Sequence, residues 1–411
     1  MQNNRKLKLR KQVTFTICIL YLSLTTLSFT GSNKTIIPNE SFTIKNEIKA
    51  QLQKLIYMEG GSFTMGRTSG VDILMTESDS TLFSSMIPKK ATIEPFYISA
   101  TEVTNQSWRE FYLDKVKELG ITEAKKRFYP DTLLWLTEYP YSYNDPMARH
   151  YHRLAYYDNY PVVGISWNQA KAFCQWKTEK LKALLDKEGI SSTIQFRLPT
   201  EAEWEFAATR KTKGVMESKD LIYEWPSNYT LPKLNELANI GPVYDRNNVQ
   251  LKDYAEDGCL YICEVASYPS NERNVFDMAG NVSEWTEDHG YTYSFYTEND
   301  EFNSLRLTDK TVIEREIARH ENNLNARENS FEYNLNWLKH DLTILARENI
   351  RICKGGSWVK GLVYTQIGSR QGFREDQRST QVGFRLAISN LDQNVIKYLP
   401  KKNWKPKKRK K

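Results

Sequence analysis

Apolar positions fall along this chain in two periods. In the period of two, Ile56-Tyr57-Met58 is followed by Gly60-Gly61 and then by alternating Ser62-Phe63-Thr64-Met65, stopped at Gly66. That order predicts a hairpin. Ala91 to Ser99 reads as a strand with Phe96 and Ile98 on one face, and Val382 to Leu386 as a closing buried strand. In the helical period, Trp108, Phe111 and Tyr112 predict a helix from Gln106 to about Lys117 behind a cap at Thr104-Asn105. Ala170, Phe173, Cys174 and Trp176 predict another, from Ser166 or Asn168 to about Lys187. Thr200 and Glu203 form a capping box, so Glu201 to Thr209 is a third helix. Its carboxylates Glu201, Glu203 and Glu205 are spread around the helix, which favours capping and solvation over catalysis.

The longest pattern is a heptad. From Glu301 to Lys354 there is no glycine or proline, and Ile317, Leu324, Phe331, Leu338 and Leu345 recur seven apart, with Leu335 and Leu342 filling the stripe. This predicts a helical insertion over residues 301–350, packed on its own domain or docked on another subunit. At the other extreme, residues 1–32 join a basic start to the apolar run Val13 to Phe29, as in a signal peptide or N-terminal anchor. Residues 33–54 read as a linker, 55–390 as one domain and 391–411 as a basic tail.

Charge changes this picture in one respect. Thirteen of the basic residues lie in the first twelve and last eleven positions, so the net +7 of the chain conceals a mildly acidic body. No basic face for nucleic acid is indicated. Phe128 to Tyr160 carries eight of the 24 tyrosines and three prolines, and predicts an ordered aromatic surface loop. His150 and His152 share a face but lack a third ligand, which makes them surface residues rather than a metal site. Cys18 lies too early in the apolar run for lipid attachment. Cys174, Cys259, Cys263 and Cys353 remain, too few for a disulfide framework and compatible with one or two bridges. Asp277-Met278-Ala279-Gly280-Asn281-Val282-Ser283-Glu284-Trp285 is a tight loop with a carboxylate at each end. Hard cations take such oxygens together with main-chain carbonyls, and a loop held by its own hydrogen bonds would look the same.

These segments together resemble the formylglycine-generating enzyme, or sulfatase-modifying factor, family. The matching stretches are GGSFTMG (Gly60 to Gly66), EVTN (Glu102 to Asn105), YPVVGISWNQAKAFCQW (Tyr160 to Trp176), FRLPTEAEWEFAA (Phe196 to Ala208), the Asp277–Trp285 loop, Gly355-Gly356-Ser357-Trp358 and GFRLA (Gly383 to Ala387). The resemblance implies an α+β domain related to the C-type lectin fold, with little regular structure. It also implies structural calcium on two sets of residues: Asn239, Ile240, Asp257 and Cys259, and Asp277, Gly280, Val282 and Glu284. Ile240, Cys259, Gly280 and Val282 would give main-chain oxygens. The family's oxidising members hold copper with two cysteines after the GGS turn. Those positions here read Thr365 and Arg370, neither of which can replace a thiolate, so no copper is expected and the chain reads as a pseudoenzyme.

The run from Pro130 through Trp167, the amphipathic insertion and the Lys354–Arg385 ending further resemble the gliding-motility and type IX secretion lipoproteins of the GldK/PorK type. That likeness implies a non-catalytic structural subunit in the periplasm, associated with the outer membrane with or without a lipid anchor. Its expected partners are itself, a GldN/PorN-type subunit and outer-membrane or motor components of the secretion system. The competing readings are an active enzyme of the same superfamily using non-cysteine chemistry, and an envelope ligand-binding module.

Overall fold

The computed structural model describes residues 40–66, 89–140, 145–210, 222–225, 231–244, 249–253, 255–289, 349–389 and 391–400, together with 404 and 406. The chain divides into Met1–Thr43 and Ile44–Lys411, and all that follows concerns the second unit. The signal or anchor segment and the insertion between 290 and 348 lie outside the described residues, as do residues 401–403, 405 and 407–411 of the tail. Among the described residues no helix is long and apolar enough to cross a membrane.

Strands and helices are mixed, as an α+β domain requires. Helix α1 (Glu40–Leu52) comes first, and its Ile48 and Leu52 are fully buried. The stretch expected as a linker is therefore largely helical. Strands β1 (Leu55–Met58), β2 (Gly61–Met65), β3 (Lys89–Ile93) and β4 (Phe96–Ser99) follow. β1 and β2 do not pair as the expected hairpin. β1 runs antiparallel to β4, and β2 to β3. The reason lies at Gly60, whose φ is +72° and where a Cβ would stand 2.3 Å from the Ile93 carbonyl. The chain crosses there to a second sheet rather than turning back. The strand expected over Ala91 to Ser99 is likewise two, broken at Glu94-Pro95 because proline cannot continue a ladder.

The helices come closer to expectation. α2 (Asn105–Leu119) starts at Thr104, whose side chain accepts from the Ser107 amide, and stops at Gly120. After α3 (Ile121–Phe128), α4 (Leu134–Glu138) and α5 (Pro146–His150) comes α6 (Trp167–Lys187), with a complete capping box of Ser166 and Gln169. Trp108 of α2 stacks on Phe173 of α6 at 5.6 Å, with Phe111, Trp176 and Phe384 around them. Each such ring pair adds about 0.5–1.5 kcal/mol to the burial of its area.

Then come β5 (Phe196–Arg197), α7 (Glu201–Ala208), the short α8 (Leu231–Leu234), β6 (Val243–Tyr244), β7 (Gln250–Lys252), β8 (Ser283–His289), β9 (Ile350–Lys354), β10 (Gln371–Arg374), β11 (Val382–Gly383), β12 (Ala387–Ser389) and α9 (Gln393–Ile396). Two four-stranded sheets result, β1-β4-β12-β5 and β10-β9-β8-β11, with the pairs β2-β3 and β6-β7. The last residues of the Glu301–Lys354 stretch are thus strand, not helix: Ile350–Lys354 pairs with both β8 and β10.

The aromatic segment is ordered, but much of it is not surface. Trp135, Tyr151 and Tyr157 are buried, and Trp135 stacks on Trp358 from the Gly355-Gly356 turn. Tyr156 is 70% exposed; residues 141–144 lie outside the described set. His152 is buried, contrary to the surface reading, and its Nδ1 sits 3.1 Å from Asn105 Oδ1. Burial, helped by Arg109, pushes its imidazole down to about 3. Cys259 and Cys263 form a disulfide, while Cys174 and Cys353 are buried thiols. Burial pushes the Cys174 thiol up to about 12 and the Cys353 thiol well up.

Candidate functional site

Three clusters of buried charge meet around the Asp277–Trp285 loop and the start of β8. The loop is tight because Asp277 and Asn281 take positive φ (56° and 54°), and Gly280 does so at 79°. A Cβ on Gly280 would stand 2.1 Å from the Asn239 carbonyl, so only glycine lets the loop approach residue 239. The Asn281 amide then donates to that carbonyl at 2.7 Å, and the Gly280 amide to Gly355 O at 2.8 Å. Both candidate cation sets are thereby held side by side.

In the second set, Asp277, Gly280, Val282 and Glu284 share one loop. Arg385, fully buried, donates to both oxygens of Glu284 at 2.5 Å and to the carbonyls of Phe276 (2.9 Å) and Ser99 (3.2 Å). Trp204 Nε1 adds a bond to Glu284 at 2.7 Å. Two further carboxyls touch the same loop: Glu102 accepts from Asn281 Nδ2 (2.9 Å) and Glu224 from the Ala279 amide (3.1 Å). The outer oxygens of Glu102 and Glu224 are buried and accept from no N–H or O–H of a neighbouring group, and the Glu102 and Asp277 carboxyls share a hydrogen bond that needs one of them protonated. Four carboxyls thus gather about one guanidinium. Burial, and then repulsion from Asp277, pushes Glu102 well up and Glu224 to about 8; burial pushes Asp277 to about 6. The orphaned acceptors belong to Glu102 and Glu224, whereas Glu284 has both oxygens on Arg385 and Asp277 takes the Ala266 amide, so a cation at the expected set would compete with Arg385. The set supplies two carboxylates with main-chain carbonyls rather than a clustered side-chain cage; among the described residues no three His, Cys, Asp or Glu side chains form one.

The first set is different. Lys252 closes β7, and its ammonium donates to Ile240 O, Asp253 O and Asp257 Oδ2, each at 2.9 Å. Lysine and aspartate side chains are 1% and 0% exposed. Two of the donors expected to face calcium therefore face an ammonium. Asn239 Nδ2 binds Tyr261 O (2.9 Å), and the Cys259 amide caps Asp257 Oδ1 (3.2 Å). With Lys252 among them these residues do not fit a divalent cation.

The third cluster stands at Thr365 and Arg370. Thr365 is buried and donates its hydroxyl to Leu362 O at 2.7 Å. Arg370 binds Glu201 through Nε (2.6 Å) and a terminal nitrogen (2.5 Å). Lys354, the last residue of β9, lies between Glu205 (2.7 Å) and Glu201 (3.4 Å). Glu205 also takes the Gly66 amide at 2.8 Å. The carboxylates of α7 are thus buried, not solvated: Glu201 and Glu205 are each 1% exposed, because all faces of this helix are covered. Glu203 does cap the helix and pairs with Arg197 at 2.6 Å. Two cations meet two anions, and their charges balance.

Sequence reasoning missed Lys252, Lys354, Arg385, Glu102 and Glu224 as members of these clusters. Glu102 and Arg385 lay inside recognised motifs. Lys252 lies in a stretch without one, where nothing local marks a lysine as buried.

A model of the sulfatase-modifying factor enzyme 1-like domain matches residues 41–390. An inactive C-alpha-formylglycine-generating enzyme 2 from Bos taurus is 26% identical over 253 residues, 57% of this chain and 71% of its own length. The formylglycine-generating enzyme of Mus musculus is 26% identical over 255 residues, 58% of either chain, so the match spans less than two thirds of that enzyme. Among solved structures, PvdO from Pseudomonas aeruginosa aligns over 83% of this chain and 95% of its own with a TM-score of 0.48 and 18% identity.

Proposed function

The chain belongs to the sulfatase-modifying factor enzyme 1-like family, and from that premise we propose that it is a non-catalytic member serving as a structural subunit of the type IX secretion and gliding machinery. One observation carries the non-catalytic part. Thr365 and Arg370 stand where the family's paired thiols are expected, and Arg370 is tied to Glu201 within a charge-balanced ion cluster. A hydroxyl spent on a main-chain carbonyl and a guanidinium spent on a carboxylate offer neither a thiolate ligand nor a redox group. The buried thiols Cys174 and Cys353 are held protonated by burial. That the bovine relative bears the name of an inactive enzyme is in keeping with such a member.

The assembly part rests on the sequence likeness to GldK/PorK-type proteins. In this reading the lectin-like domain sits in the periplasm at the outer membrane and binds copies of itself and a GldN/PorN-type subunit. Calcium belongs to the Asp277–Glu284 loop alone. There Asp277 and Glu284, with the carbonyls of Gly280 and Val282, would hold it, and its charge would offset the carboxyls that Arg385 leaves over.

The test is purification of the tagged full-length chain from native envelopes, with sizing and identification of its companions. The proposal expects a large assembly containing a second secretion subunit. A lone monomer in gentle detergent would refute the assembly. Copper-dependent conversion of a cysteine peptide to formylglycine would refute the non-catalytic reading.

A further inference from the structure

We infer that the Lys252 ammonium stands in for a divalent cation between Asn239 and Cys259, so that this region is organised by a tethered charge and takes up no calcium of its own. The geometry is that of a saturated ion. An ammonium has three donors, and Lys252 meets three acceptors at 2.9 Å: two main-chain carbonyls and one carboxylate oxygen. Charge closes as well, since the Asp257 carboxylate is the partner and both side chains are sealed from solvent.

Calcium, by contrast, needs six to eight oxygens at 2.3–2.6 Å. Of the carboxylate oxygens here, Oδ2 also accepts the Ile240 amide (3.1 Å) and Oδ1 the Cys259 amide (3.2 Å). A divalent ion entering beside them would have to displace a buried ammonium from three hydrogen bonds. The tether also explains how the region stays in register with its neighbour. Lys252 fixes the Ile240 carbonyl, and the adjoining Asn239 carbonyl receives the Asn281 amide of the Asp277–Glu284 loop. The Cys263 amide, joined through the disulfide to Cys259, donates to Asn281 Oδ1 at 3.0 Å. An internal cation in one loop thus props the other without any dependence on metal supply.

Two experiments test this on the full-length chain. Calcium titration of metal-stripped protein should show one more equivalent bound by Lys252→Ala than by the wild type, and calcium or methylammonium should restore part of that variant's lost melting temperature. Asp257→Asn in the Lys252→Ala background should lose the extra equivalent. If Lys252→Ala folds yet gains no calcium, and neither cation restores it, the inference fails. The second experiment needs no variant: wild-type crystals are soaked in terbium and the anomalous density is inspected. No peak beside Ile240 O and Asp257 supports the inference. A peak there, with the lysine swung aside, overturns it.

Discussion

The two loops that meet at Asn239 and Asn281 resolve buried charge in opposite ways. Around Asp257, one carboxylate faces one ammonium and the charges balance, with Asn239 Oδ1 the one acceptor of that set left without a donor. Around Asp277, Glu102, Glu224 and Glu284 join in, Arg385 is the cation bonded to them and Lys54 the cation near Glu102, and two carboxyl oxygens are left without donors. The first loop is therefore balanced in charge as folded. The second becomes complete on taking up a proton or a metal ion. Similar loops in one family can thus diverge by a single side chain, because a lysine of the right reach delivers charge at no cost in translational entropy.

Breaking each loop should show this asymmetry. The largest effect is expected from Arg385→Met. It strands the Glu284 carboxylate without its bonded cation, and such losses cost about 3–5 kcal/mol or prevent folding. Calcium in excess should recover part of that stability in chemical denaturation. Lys252→Met should cost nearly as much, roughly 3 kcal/mol, since it strands one carboxylate. Because methionine fills the space, calcium should recover nothing.

A gentler change sharpens the contrast. Glu224 has a folded value of about 8, above its unfolded one. Its contribution is fully present below the unfolded value and is lost as pH rises through 8. Glu224→Gln should therefore stabilise the calcium-free chain at pH 8 by up to about 4 kcal/mol, and leave it unchanged near pH 4. Thermal melts with a chelator at both pH values check this. Outside both loops, His152 sets the acid background. Its folded value, about 3, lies below its unfolded value, so stability falls as pH drops from about 6.5 towards 3. The loss by pH 5 should be roughly 2 kcal/mol, and His152→Gln should flatten that slope.

What was legible in the sequence is what local hydrogen bonding decides. The caps at Thr104, Ser166 and Thr200 mark helix starts because the side chain and the amide it binds lie three residues apart. The pairing of β1 and β2 was misread because strand partners are chosen by tertiary contacts, here Pro95 and the Gly60 crossing. Helix α1 was missed although Ile44, Ile48 and Leu52 recur at four; its polar composition hid the stripe. The carboxylates of α7 were misread for a deeper reason. Their partners Lys354 and Arg370 arrive about 150 residues later, and no single-helix pattern reports what will cover it. The heptad of 301–350 falls mainly on residues outside the described set.

The central contrast is best tested by counting calcium on the purified full-length chain, by native mass spectrometry with and without a chelator. One ion per chain, lost on Asp277→Asn and kept in Lys252→Met, is the predicted result. Two ions per chain, or one that survives Asp277→Asn, would contradict it.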